Sequence, residues 1–417
     1  MSKPFTPRGP LMIAGLVLAA TGGTLLAQGA GTPTARYEMR AGTTSGMAGM
    51  GGGMGSALSM AFGGGGNSAQ HELHLELGSG LAPTGGPAKA DHFMPAGAKL
   101  GKSVALKTPV AGPATPSRPG EREFQRPKGR MLIFWGCGEH APKGQPVVID
   151  FAKIAAGQVP PGLYSTTVPV DNYVTAANSR TYGRWPADDG KSARPDSSLI
   201  GAHRVAGNYS PDIAFSLSKD FMAALRASST GQSSGATLLS WNAVPDATGY
   251  HASIIGGKGG AGGQMNDIVW WSSSATREFG GGLSDWLSPA TVARLVASRT
   301  VLSPQTTTCT VPAEVKQAAP DFMFGSLYAF GPEEDFAFPP RPASARTPWN
   351  PQWTARIRHR SMTGFLVGME GMGMQGAQPQ QQNQCKPKKR GLGGLGGALG
   401  GALGGALGGS GNSGDGC

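Results

Sequence analysis

Apolar residues along this chain recur mostly with period two. At 71–77, His-Glu-Leu-His-Leu-Glu-Leu alternates as a half-buried strand should, with His71 and His74 directed to opposite faces. Met131–Trp135 is an unbroken apolar run and Pro146–Phe151 is a mostly apolar one, both consistent with buried strands. Tyr164–Val170 and Asp212–Ser218 read as further strands, and 178–211 between them is polar and rich in turn formers. One helix signal stands out: Ser288 as cap, Pro289 at the first position, and Val292, Leu295 and Val296 on one face. The pattern predicts an all-β fold of two β-sandwich-like domains, 69–227 and 236–370. The Ser- and Gly-rich stretch 228–235 reads as the linker between them.

Composition changes the picture at the two ends. The 417 residues include 68 Gly and 33 Pro, but without the every-third-residue Gly of collagen. Glycine is dense at 30–68, which reads as a flexible Gly- and Met-rich leader, and at 371–417, which reads as a flexible tail. Ahead of the leader, Lys3 and Arg8 precede the apolar run Leu11–Ala20, and the small residues Ala27 and Gly29 follow. That order is the pattern of a cleaved export signal over 1–29. The expected location is therefore the periplasm, the outer membrane surface or the extracellular space.

The formal charge of +11, in an exported protein, points to anionic lipid or polysaccharide or to an envelope protein as partner, and not to nucleic acid. Basic residues cluster at Arg122/Arg126/Lys128/Arg130, at Arg356/Arg358/Arg360 and at Lys386/Lys388/Lys389/Arg390. After the last cluster, 391–409 contains 11 Gly, 5 Leu and 3 Ala. As a helix this segment would align Leu395, Leu399, Leu403 and Leu407 on one face. In water the glycines oppose that helix by about 1 kcal/mol each, whereas in a membrane close-packed Gly favours association. The segment resembles the glycine zippers of envelope proteins. That resemblance implies membrane or anionic-surface contact through Lys386, Lys388, Lys389, Arg390 and the four leucines, with self-association of the tail. Four cysteines, Cys137, Cys309, Cys385 and Cys417, allow three pairings.

Thr237-Leu-Leu-Ser-Trp-Asn-Ala-Val-Pro-Asp-Ala-Thr-Gly-Tyr-His-Ala-Ser-Ile-Ile255 resembles the opening two strands of a fibronectin type III-like sandwich. Thr306–Pro312 and Ser326–Phe330 are similar to later strands of that family. The resemblance, over about 236–370, implies a binding and spacing module with Trp241 in its core and no chemistry of its own.

Three catalytic-looking motifs lack the context that their chemistry requires. Ala96–Ser103 fits a relaxed phosphate loop but leads into strand-like text at Val104–Leu106 and not into a helix. Gly231-Gln-Ser-Ser-Gly235 matches a nucleophile elbow but leads into a strand. Gly257–Gly262 matches a dinucleotide fingerprint, yet Gln264–Trp271 after it is strand-like, so a hairpin loop is expected. For metals, Cys137/Glu139/His140 and Glu333/Glu334/Asp335 are minor candidates. Met47, Met50, Met54, Met369, Met372 and Met374 place soft thioethers at short spacing, as Cu(I) requires. No cofactor is expected. The leading expectation is an exported, non-catalytic binding or bridging protein of the cell envelope. A Met-rich periplasmic copper-handling protein and an envelope polysaccharide hydrolase are the alternatives.

Overall fold

The structure, a computed structural model, describes residues 31–47, 69–109, 129–187, 189–259, 265–280, 282–344 and 347–368. The fold is all-β. Sixteen strands are present among these residues: β1 Ala35–Gly46, β2 Gln70–Ser79, β3 Ala90–Phe93, β4 Ser103–Ala105, β5 Arg130–Trp135, β6 Val147–Asp150, β7 Thr181–Trp185 and β8 Gly201–Gly207, then β9 Ile213–Leu217, β10 Ala227–Gly231, β11 Thr237–Trp241, β12 Gly249–Gly259, β13 Met265–Ser272, β14 Thr308–Val311, β15 Phe322–Phe338 and β16 Trp353–Leu366. The helices are short: α1 Phe151–Ala155, α2 Pro289–Ala297 and α3 Ala313–Ala318. α2 starts as its sequence predicts, with the Ser288 hydroxyl accepting the Thr291 N–H and Val292 and Leu295 buried.

Nine strands form one sheet in the order β6-β5-β13-β12-β15-β16-β1-β2-β7. β1–β16 and β13–β5 are parallel, and the other pairs in this sheet are antiparallel. Two smaller sheets, β4-β3-β8-β9 and β10-β11-β14, cover the same face of it side by side. Under the four-stranded sheet, Tyr37, Met39, Leu73, Leu75, Leu77, Trp353 and Ile357 meet Val104, Val205, Ile213 and Phe215. Under the three-stranded sheet, Tyr250, Ile254, Val269, Trp271 and Leu327 meet Leu239, Trp241 and Val311. β16 enters both cores, with Trp353, Ala355 and Ile357 in the first and Phe365 in the second.

Between the two cores the same face of β1 and β16 turns polar but stays buried, at Thr43, Ser45, Ser361 and Thr363. The chain at 218–226, running from β9 to β10, supplies partners for these groups. Thr43 Oγ1 donates to the Met222 carbonyl at 2.6 Å, Ser45 Oγ donates to the Leu225 carbonyl, and the Leu225 N–H donates to Ser361 Oγ at 3.1 Å. Glu334 fixes the start of this strap by accepting the N–H groups of Ser218 and Lys219, at 3.0 and 3.1 Å. A disulfide joins Cys137, beyond β5, to Cys309 in β14, with Cα atoms 5.3 Å apart. Beside it the Gly138 N–H reaches the Thr310 carbonyl at 2.8 Å, so the three-stranded sheet is clasped to the large one.

Several expectations are corrected. The expected leader 30–68 contains β1, a central strand, because pairing with both β2 and β16 and the cover of the small sheets bury its modest side chains. The expected linker 228–235 is β10 and its tight turn into β11, where Gln232 and Ala236 close a backbone hydrogen bond of 2.8 Å. A boundary there does not follow the sheets, because β5 and β6 join the far end of the second sandwich through the β5–β13 pairing. Tyr164–Val170 is coil held by side chains, whereas the polar stretch 178–211 contains β7 and β8. The export segment 1–29, residues 48–68 of the leader and the tail 371–417 lie outside the described residues.

Replacing Ser361 with Ala should leave the Leu225 N–H without its partner inside the seam. We expect a loss of about 1–3 kcal/mol in urea unfolding, with little change in the denaturant slope. An unchanged midpoint would mean that the strap is not held by this bond.

Candidate functional site

The opposite face of the nine-stranded sheet carries the densest charge in the described structure. Registered pairing aligns β15, β16, β1 and β2 so that Glu333 faces Arg358, Asp335 faces Arg356, Glu38 faces Arg356 and Arg40 faces His74. The resulting ladder is closely paired. Arg356 binds Glu38 at 2.5 Å and Asp171 at 3.1 Å, Arg358 binds Asp171 and Glu333, Arg360 binds Glu72 at 3.0 Å, and Arg40 binds Glu76 at 2.8 Å. Aromatic rings complete it: Tyr173 lies 5.1 Å from Arg40 and 5.8 Å from Arg356, and Trp286 lies 4.1 Å from Arg360.

The Arg356/Arg358/Arg360 cluster is therefore not an exposed basic patch. Arg358 is 5% exposed, and its guanidinium also donates to the Trp286 carbonyl at 2.7 Å. The array's work is mechanical, because Asp171 and Tyr173 belong to the coil 157–180 that covers this face. The same coil is anchored further along by Leu163 in a small core with Ile133 and Ile149, and by Ser165 and Thr167, which donate to the buried Glu278. Burial pushes the Asp171 carboxyl up, but hydrogen bonds and charge from Arg358 and Arg356 outweigh it and hold the group below its ordinary value. Asp335 goes the other way, raised by burial and by the neighbouring Glu333.

The candidate motifs come apart in three dimensions. Ala96–Ala98 is a single 3-10 turn followed by β4, so no helix terminus faces the glycines. Gly231–Gly235 turns a hairpin, and Gly257–Gly259 is part of β12 in antiparallel pairing with β13. Cys137 is in a disulfide, and His140 pairs instead with Glu314 at 3.1 Å. Glu333 is bound to Arg358 while Glu334 caps the strap, so these two diverge from a common site. His71 stacks on Phe221 in the seam, and His74 stands on the other face beside Glu72. Among the described residues no three His, Cys, Asp or Glu side chains gather as metal ligands, and no helix is long and apolar enough to cross a membrane.

Of the methionines nominated for copper and the tail residues nominated for membrane contact, Met47 alone is described; it follows β1 directly. Met50, Met54, Met369, Met372 and Met374, Lys386, Lys388, Lys389 and Arg390, and Leu395, Leu399, Leu403 and Leu407 lie outside the described residues.

Sequence reasoning missed two buried histidine arrangements. His251 lies 3.1 Å from Ser272 Oγ, but both are buried, and burial alone lowers the histidine to about 4. Both groups are shut off from the surface, and among the described residues no carboxylate bonds to the other ring nitrogen, so this pair lacks the parts of a nucleophile–base system. The second arrangement, Tyr37–His92–His203, crosses the first core. An open cleft of about 480 Å³ lies at the end of that sandwich, lined by Thr34, Leu81, Thr84, Asn208, Ser210 and Gln352. Asn208 is fully engaged there, accepting from the Lys89 N–H and donating to the Thr84 and Pro87 carbonyls.

No family model and no curated protein matches this chain. Among solved structures it is similar to an Fcho1 Mu homology domain from Danio rerio with bound Eps15 peptide, at 8% identity, covering 82% of this chain and 99% of that one. The TM-score of 0.21 is too low for the likeness to carry an argument.

Replacing Asp171 with Asn should free the cover from two arginines at once. We expect about 2 kcal/mol lower stability, and limited proteolysis cutting first within 157–180. The sign with pH follows from the lowered carboxyl: its contribution is full above the unfolded value near pH 4 and is lost as pH falls through the folded value. The stability gap between the parent and the variant should therefore narrow steadily as pH falls below the unfolded carboxyl range.

Proposed function

We propose that this chain is an exported, non-catalytic binding or bridging protein of the cell envelope. The observation that carries the reading is the single nine-stranded sheet shared by two sandwiches. It joins two sandwiches through one continuous sheet and leaves them two separate outer sheets, each able to present its own surface. A bridging role needs that geometry, and a catalytic role would need accessible nucleophiles or bases. The arginine ladder and the His92–His203 and His251–Ser272 pairs are instead occupied with one another.

Two further observations support the proposal. The Cys137–Cys309 disulfide suits an oxidising compartment. The strand order β10-β11-β14 opposite β13-β12-β15-β16, with Trp241 and Tyr250 in contact at 5.7 Å, supports a fibronetin type III-like reading of the second sandwich. In the proposal this body is tethered by its tail, through Lys386, Lys388, Lys389, Arg390 and the leucines at 395, 399, 403 and 407, to a membrane or another anionic surface.

Two measurements test it. Cys137 and Cys309 in protein taken directly from cells should resist alkylation until a reductant is added; immediate labelling of both would sink the export reading. Chains ending before Lys386 should shift from the envelope fraction to the unbound fraction by at least five-fold. An unchanged distribution would remove the tail from the mechanism.

A further inference from the structure

A hydrogen-bonded chain crosses the first core from one sheet to the other. Tyr37 Oη on β1 lies 2.6 Å from His92 Nδ1 on β3, His92 Nε2 lies 3.0 Å from His203 Nδ1 on β8, and His203 Nε2 lies 2.7 Å from the Leu199 carbonyl. All three side chains are buried, at 1%, 0% and 2% exposure. The carbonyl end fixes every proton. Leu199 only accepts, so His203 Nε2 carries hydrogen and its neutral Nδ1 accepts. His92 therefore donates from Nε2, which leaves its Nδ1 to accept the Tyr37 hydroxyl.

A proton from solvent has no comfortable place in this chain. On His203 Nδ1 it sets two N–H groups head to head, unless His92 moves its hydrogen from Nε2 to Nδ1 and the Tyr37 hydroxyl turns away. On His92 Nδ1 it displaces the Tyr37 hydrogen, which has no second acceptor among the described residues. Compensating charge is scarce. β9 contributes only the Phe215 ring, stacked on His203 at 5.2 Å. β15 contributes Glu334, whose oxygens already hold Ser218 and Lys219 and which also has His359 of β16 at 4.0 Å. Asp220 is occupied by Ser198 and the Leu199 N–H, and Glu76, which acts on Tyr37, belongs to the opposite face of the sheet.

We propose that the Tyr37–His92–His203 chain is an acid-sensitive latch, so that proton uptake loosens the four-stranded sheet from the nine-stranded one while the second sandwich stays closed. The asymmetry comes from the clasp. Cys137–Cys309 ties the three-stranded sheet covalently to the chain leaving β5, whereas the four-stranded sheet has no such tie. The buried histidine of the second half, His251, is on the far face of the large sheet and not between the two layers. Burial lowers both His92 and His203. Their neutral pairing therefore contributes fully above the unfolded value near 6.5, and that contribution falls as pH drops below it.

Hydrogen exchange of the full chain at pH 7.0 and 4.5, normalised for intrinsic rates, tests the latch. Protection of β3, β8 and β9 should fall at least ten-fold relative to β11 and β14. Equal loss in both groups, earlier loss in β11 and β14, or no loss in either would overturn it. His203→Gln can accept from His92 and donate to Leu199 without titrating, so it should reduce the effect to less than three-fold; a full-sized effect would count against the latch. Tyr37→Phe frees His92 Nδ1 to take a proton and should move the opening to higher pH. An unchanged or lower opening pH in that variant would also overturn the proposal.

Discussion

The pairing of β16 with β15 on one side and with β1, in parallel, on the other decides the architecture. Without it the molecule would be two sandwiches on a string. With it, one backbone ladder runs from β6 to β7, and the apolar residues of a single strand serve two cores in turn. A strand so placed has a consequence at its midpoint. Where the two small sheets part, Ser361 and Thr363 replace the Trp and Ile of its first half. The strap 218–226 exists because those hydroxyls, with Thr43 and Ser45, need backbone partners, and because a buried hydroxyl without one is costly.

The same strand accounts for the charges. Arg356, Arg358 and Arg360 alternate with Ile357 and His359, so all three arginines project to the face away from the cores. There they would be three like charges on one strand, each about 7 Å from the next. Carboxylates from β1, β2 and β15 meet them within the sheet, and Asp171 meets two of them from the cover. Net positive charge in the sequence is thus a poor guide to the surface of the described body, because this cluster is neutralised where it stands.

What could be read in the sequence followed the strength of the alternation. β2 is legible because Leu73, Leu75 and Leu77 alternate with Glu72, His74 and Glu76. α2 is legible because its cap, its proline and its apolar face agree. β1 is not, since the buried positions of Ala-Arg-Tyr-Glu-Met-Arg-Ala-Gly-Thr-Thr-Ser-Gly are filled partly by Ala, Thr and Ser, which are buried by neighbours and not by their own hydrophobicity. β10 has the composition of a linker, and only its ladder with β11 makes it a strand. For β16 the signal takes a different form: Arg356, Arg358 and Arg360 put charge at period two, which is a strand pattern as well as a basic cluster. The ladder site was therefore visible only as its arginines, since the acids that complete it come from positions as far away as Glu38 and Asp171.

The cysteine pairing shows why distant partners escape pattern reading. Cys137 and Cys309 are 172 residues apart, and nothing local to either points to the other. Their meeting requires β5 to lie parallel beside β13, and β14 to pair with β11 in the opposing layer. Both conditions are set by topology and not by neighbouring residues. The clasp sits at the end of the long sheet where β13 is the one ladder partner that joins β5 and β6 to the rest, away from the β16 ladder at the centre. The covalent bond thus reinforces the half of the molecule with the smaller covering sheet. The half with the larger cover has no covalent clasp; apolar burial, a backbone bridge between Lys107 and Arg184 of β7, and the buried chain of three polar side chains hold it.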